Sequence, residues 1–100
     1  MEKVALWVVL KAKTGKEGEV AEFLKSAIPL VEAETETLGW YALQIGPSTF
    51  GIFDTFAGDS GRDAHLSGKV AAALMAKAPE LLGEAPSIHK VDLLAVKARK

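Results

Sequence analysis

Two histidines and no cysteine limit the chemistry open to this chain. Without cysteine there are no disulfides, thiolate metal sites or thiol nucleophiles. Of the histidines, His65 has the more suggestive setting. It stands in a short predicted helix beside a break at Ser67-Gly68, shortly after the turn residues Gly58-Asp59-Ser60-Gly61. An imidazole with a pKa near 6.5 can take a proton from a phenol or quinol around neutral pH. The electron-rich anion so formed can react with dioxygen directly, without a metal. Asp54 closes the strand that leads toward this helix, and a carboxylate there can orient the ring and raise its basicity. Plainer roles stay open: His65 as a helix cap or a bridge between loops, Asp54 as a turn residue or an ion-pair partner of Arg62 or a lysine. Trp40 and Tyr41 are neighbours in a predicted strand, so they point to opposite faces. One can line a pocket and the other a subunit seam, and the Tyr41 hydroxyl can donate a hydrogen bond to a ligand oxygen. His89 opens the last strand and reads as a surface residue. No HxH or HExxH spacing exists, so no metal site is expected. Gly46-Pro47-Ser48-Thr49-Phe50-Gly51-Ile52-Phe53 has Ile52 and Phe53 where a phosphate loop needs lysine and a hydroxyl, and is rejected as one. Ser67 reads as a cap, not a nucleophile.

These side chains need elements to hold them. Val4 to Leu10 is a short apolar run rich in β-branched residues, a strand with both faces covered. Thr14-Gly15-Lys16-Glu17 reads as a turn and capping box in which Thr14 and Glu17 bond reciprocally. Val20, Phe23, Leu24, Ala27 and Val31 then recur at helical spacing. Pro29 removes one intrahelical bond, so helix is predicted from about Lys16 to Glu34 with a kink near Ile28. Leu38 to Ile45 and Thr49 to Phe56 form a hairpin around Gly46-Pro47-Ser48. A short helix through Arg62 to Leu66 follows, then helix over Val70 to Ala76, a separate turn at Pro79 to Leu82, and a last strand from Ile88 to Val96. Lys97-Ala98-Arg99-Lys100 is a basic, frayed end. The order is βαββαβ, a ferredoxin-like α+β arrangement with an antiparallel sheet.

At 100 residues the chain is read as one domain over 1–100, and 49% hydrophobic with 25% charged residues is the balance of a folded protein. A net charge of −1 gives no reason to expect nucleic acid or an anionic membrane as partner. The apolar run near the amino terminus is too short to span a bilayer and lacks a cleavage site, so the cytosol is the expected compartment. The helices can cover one face of a four-stranded sheet. Either parity of Val4–Leu10, and of the strands around Phe53 and Leu93, leaves an apolar set on the other face. A monomer would expose a patch larger than soluble monomers tolerate, which predicts a homodimer packed sheet to sheet.

Lys13-Thr14-Gly15-Lys16, Pro29-Leu30-Val31-Glu32-Ala33-Glu34, Phe50-Gly51-Ile52-Phe53-Asp54-Thr55-Phe56 and Ala64-His65-Leu66-Ser67-Gly68, in that order and spacing, resemble the antibiotic biosynthesis monooxygenase domain family over nearly the whole chain. The resemblance implies a dimeric α/β barrel with a pocket between sheet and helices. It also implies oxygenation of a small aromatic or quinol-like substrate without metal or organic cofactor. Haem-degrading members use an asparagine, a tryptophan and a haem-ligating histidine, and those positions fall on Val8, His65 and Met75. The chain has no asparagine, so that set cannot form. The aromatic-polyketide oxygenases of the family also use asparagine and tryptophan, and their site is not matched residue for residue. The resulting site has His65 and Asp54 as catalytic residues and Trp40, Tyr41, Val8 and Met75 as substrate-binding residues. Two other classes use the same fold: a non-catalytic ligand-binding or stress-associated homodimer, and an isomerase or lyase that uses the histidine without dioxygen.

Overall fold

A computed structural model describes residues 1–97; Ala98, Arg99 and Lys100 of the expected basic end lie outside the described residues. The elements are β1 (Val4–Lys11), α1 (Glu17–Ser26), α2 (Ile28–Glu32), β2 (Thr37–Gln44), β3 (Thr49–Phe56), α3 (Asp59–Leu66), α4 (Lys69–Leu81) and β4 (Ser87–Asp92). The strands pair antiparallel in the order β2-β3-β1-β4. This is the ferredoxin-like α+β arrangement expected from the sequence.

One parity of each central strand faces the helices. Val8 and Leu10 of β1 and Phe50 and Ile52 of β3 pack with Val20 and Leu24 of α1 and Leu74, Ala78 and Leu81 of α4. Val4, Leu6 and Phe56 continue this face beneath α3 as a smaller cluster with Leu66. The opposite parity faces away. Trp7 lies across from Phe53 and His89, and Tyr41 lies across from Phe53 with ring centroids 6.5 Å apart. Tyr41, Leu43 and Ile45 on this side are 43%, 40% and 56% exposed. Gly51 belongs to the same face, and a Cβ there would stand 2.7 Å from Cη2 of Trp7. The missing side chain lets the indole lie against β3.

Several local expectations are corrected. The Thr14 capping box does not form. Gly15 takes a positive φ of 87°, and its N–H donates to Glu17 Oε1 at 2.9 Å. Glu17 is thus the first helical residue, reaching back one position short of Thr14. The long kinked helix is two helices parted at Ala27, with Pro29 in the first turn of the second, where its missing N–H costs nothing. That second helix ends at Glu32, so Glu34 sits in the linker to β2. α3 begins at Asp59, and α4 runs unbroken through Pro79 to Leu81. β4 stops at Asp92 because its partner runs out. Asp92 lies opposite Val4, the first residue of β1, and the bond from Leu93 N–H to Lys3 C=O at 2.9 Å follows it. Leu94 beyond it is 98% exposed.

Candidate functional site

β3 delivers Asp54 to the helix-facing side, directly across from Leu6 on β1 and Trp40 on β2. Its side chain is 0% exposed. α3 delivers His65 on its inner side, 7% exposed, with the ring 5.5 Å from that of Phe56. Arg62, one turn earlier, pins the helix to the sheet. Its guanidinium donates to the Ala5 and Val91 carbonyls, each at 3.2 Å, and pairs with Asp59 at 3.1 Å. Arg62 therefore does not pair with Asp54, which is left to the histidine.

Both ring nitrogens of His65 are engaged. Nε2 lies 2.9 Å from Asp54 Oδ2, an ion-pair contact and not a well-aligned hydrogen bond. Nδ1 lies 2.6 Å from Glu34 Oε1. Thr37 Oγ1 donates to the same Glu34 oxygen at 2.8 Å. A neutral imidazole would turn a lone pair on one of the two carboxylates; the imidazolium presents an N–H to each. Burial alone lowers the His65 pKa, but the Asp54 and Glu34 carboxylates outweigh it and hold the pKa above the ordinary 6.5. In this arrangement both carboxylates favour the protonated ring, and each of its nitrogens already faces an oxygen. Glu34 Oε2 and Asp54 Oδ1 are buried without a hydrogen-bond partner. Gly68 makes room for the former, since a Cβ there would stand 3.0 Å from Glu34 Oε2.

The cluster borders an open cleft of about 240 Å³, lined by residues 33–37 of the α2–β2 linker and by Gly61, Ala64 and His65 of α3. Between sheet and helices, where the pocket was expected, the centre is tightly packed, and an opening of about 130 Å³ lies at the β2 edge between Ala21, Leu24 and Lys25 of α1 and Ala42–Gln44. The void among Leu10, Val20, Phe23, Leu74, Ala78 and Leu81 holds about 10 Å³, space for about one water. Of the expected site residues, the fold brings His65 and Asp54 together. Trp40 sits beside Asp54, its ring packed against both the main core and the Ala27–Val31–Val70 cluster, and its buried Nε1 has no partner. Val8 is core. Tyr41 is on the opposite face of the sheet. Met75 is 53% exposed on a separate apolar groove of about 330 Å³ with Pro79, Leu82 and Pro86. Glu34 was not singled out by sequence reasoning. In Glu32-Ala33-Glu34-Thr35-Glu36 nothing separates it from two solvated neighbours.

No family model matches the chain, and no curated protein matches it. Solved structures do. A protein of unknown function from Nitrosomonas europaea, NE2512, is 56% identical over 100% of this chain and 97% of its own, with a TM-score of 0.97. At that identity and coverage the two are members of one family. A second Nitrosomonas europaea protein, provisionally named an antibiotic biosynthesis monooxygenase, is 15% identical with a TM-score of 0.81, covering 92% of this chain and 90% of its own. One from Caulobacter crescentus, named likewise, is 16% identical with a TM-score of 0.80, covering 94% and 92%. These two share the fold.

Proposed function

Because this chain belongs to the family of the Nitrosomonas europaea protein and has the antibiotic biosynthesis monooxygenase-like fold, we propose that it is a homodimeric, cofactor-independent oxygenase of a small aromatic or quinol-like substrate. The substrate sits in the cleft formed by the α2–β2 linker and α3. One observation carries this reading: a buried imidazole set between the Asp54 and Glu34 carboxylates at the edge of that cleft. Reaction of a quinol with dioxygen runs through its anion, and a fixed cationic donor stabilises a developing phenolate. Asp54 orients the ring from below. Trp40, next to Asp54, supplies the apolar wall behind it, while Val8 supports that wall from the core. Met75 and Tyr41 lie outside this cleft and take no part in the proposed site.

Oxygen uptake with a panel of quinols and anthrones tests the proposal. Native protein is expected to exceed the uncatalysed rate by about a hundredfold or more, and His65→Ala to fall back to it. If both consume oxygen at the uncatalysed rate across the panel, the oxygenase reading is lost. The second reading, a non-catalytic ligand-binding homodimer, is favoured by one feature: both ring nitrogens are already occupied. Ligand binding in the cleft without oxygen uptake is its signature.

A further inference from the structure

Resting on that reading of the cleft, we infer that Glu34 is a stand-in for the substrate's oxygen. An incoming phenol passes its proton to the Glu34 carboxylate and takes that carboxylate's place on His65 Nδ1.

The two carboxylates of the cluster are not equivalent. Asp54 is on a central strand and fully buried, so the Nε2 contact belongs to the frame of the protein. Glu34 is on a linker that itself lines the cleft, and its side chain is 18% exposed. Nδ1 is therefore the ring nitrogen on the cleft side, and a carboxylate oxygen occupies it at 2.6 Å. An oxygen with negative charge at that distance is what a bound phenolate would present.

Glu34 is also poised to leave. Its Oε2 is buried against Gly68 with no hydrogen-bond partner. A buried, unsatisfied carboxylate oxygen carries a desolvation penalty. Turning the side chain into the cleft returns that oxygen to water, which offsets part of the ion pair given up. Thr37, whose hydroxyl now donates to Oε1, is freed at the same moment to bond the ligand.

The step balances. The phenol O–H bond breaks and an O–H bond forms on the Glu34 carboxylate. The phenolate keeps the electron pair and is held by the imidazolium, whose two protons stay where they are. Charge is conserved, with one anion replacing another on Nδ1. His65 is then an anion anchor and Glu34 the proton acceptor, and ligands are selected for an acidic hydroxyl on a ring small enough for about 240 Å³.

The test uses para-nitrophenol, whose phenolate absorbs in the visible, at a pH below the probe's own pKa. Binding to native protein is expected to generate the phenolate band, with amide resonances of residues 35–37, Gly61 and Ala64 shifting in step. Glu34→Gln is expected to lose the band at that pH by about tenfold or more yet to bind preformed phenolate above the probe's pKa. A purely structural glutamate would not produce that pH split. Nitrogen resonances of the His65 ring in native protein, a measurement independent of any variant, should report imidazolium before and after binding. Should the probe bind in the cleft as neutral phenol, or should the ring itself change protonation state, the role given to Glu34 is wrong while the cleft stands. Should no cleft resonance move, the proposed function falls with it.

Discussion

At the scale of single residues, the buried Asp54–His65–Glu34 cluster couples protonation to stability. The His65 pKa is raised in the folded protein, so the folded state holds the proton more tightly than the unfolded chain. Its contribution is fully present below the unfolded value near 6.5 and is lost as pH rises through the folded value. Thermal melts of native protein are expected to show a fall in Tm through that window, and His65→Gln to flatten it. Removing the ring leaves the buried Asp54 carboxylate facing the partly exposed Glu34 carboxylate. His65→Ala is therefore expected to destabilise by about 3 kcal/mol or more in urea titrations. Recovery of stability in the double variant His65→Ala, Glu34→Gln would show that repulsion, and not lost packing, is the cause. The Asp54–His65 pairing was legible in sequence as a candidate, because a strand-end carboxylate preceding a helix with a histidine has few places to go. Glu34 was not legible. Its carboxylate reaches His65 only because α2 stops at Glu32 and the linker turns inward, and Gly68 leaves the space.

Among the elements, glycines mark where backbones come close. A methyl at position 68 would stand 3.0 Å from Glu34 Oε2 and 3.2 Å from the Ala64 carbonyl. Gly68→Ala is expected to lower stability by about 1 kcal/mol and to move the His65 ring resonances, coupling the α3–α4 junction to the site. A methyl at position 51 would clash with the Trp7 indole at 2.7 Å. Gly51→Ala should displace that ring and change its fluorescence, while leaving the helix-side core intact. Element types were legible from periodicity and turn residues; their ends were not. β4 ends where β1 supplies no further partner, a non-local fact that the apolar run Leu93-Leu94-Ala95-Val96 conceals. α4 continues through Pro79, whose own carbonyl accepts from Lys13 Nζ at 2.7 Å; tertiary packing overrides the local break there.

For the whole molecule, the decisive question is what covers the outer sheet face. Trp7, Val9, Tyr41, Leu43 and Phe53 share it, and the helices lie on the other side. Burying such a face against a second copy is the two-fold solution proposed above. Sedimentation at micromolar concentration is expected to give a dimer, and Phe53→Glu to give a folded monomer by the same measurement and by circular dichroism. A native chain that sediments as a monomer would remove the dimer from the proposal. Among the described residues no helix is long and apolar enough to cross a membrane.

The sequence by itself determined the order and kind of the elements, because hydrophobic period and turn chemistry are local properties. It also placed an apolar set on each side of the sheet. Only the tertiary structure decided which parity faces the helices, since a strand's alternation is symmetric until something packs on one side. It also decided that the centre between sheet and helices is tightly packed and that the cleft beside His65 lies at the linker. And it alone chose Glu34 from three similar glutamates, because burial beside a charged ring is made by chain segments far apart in sequence.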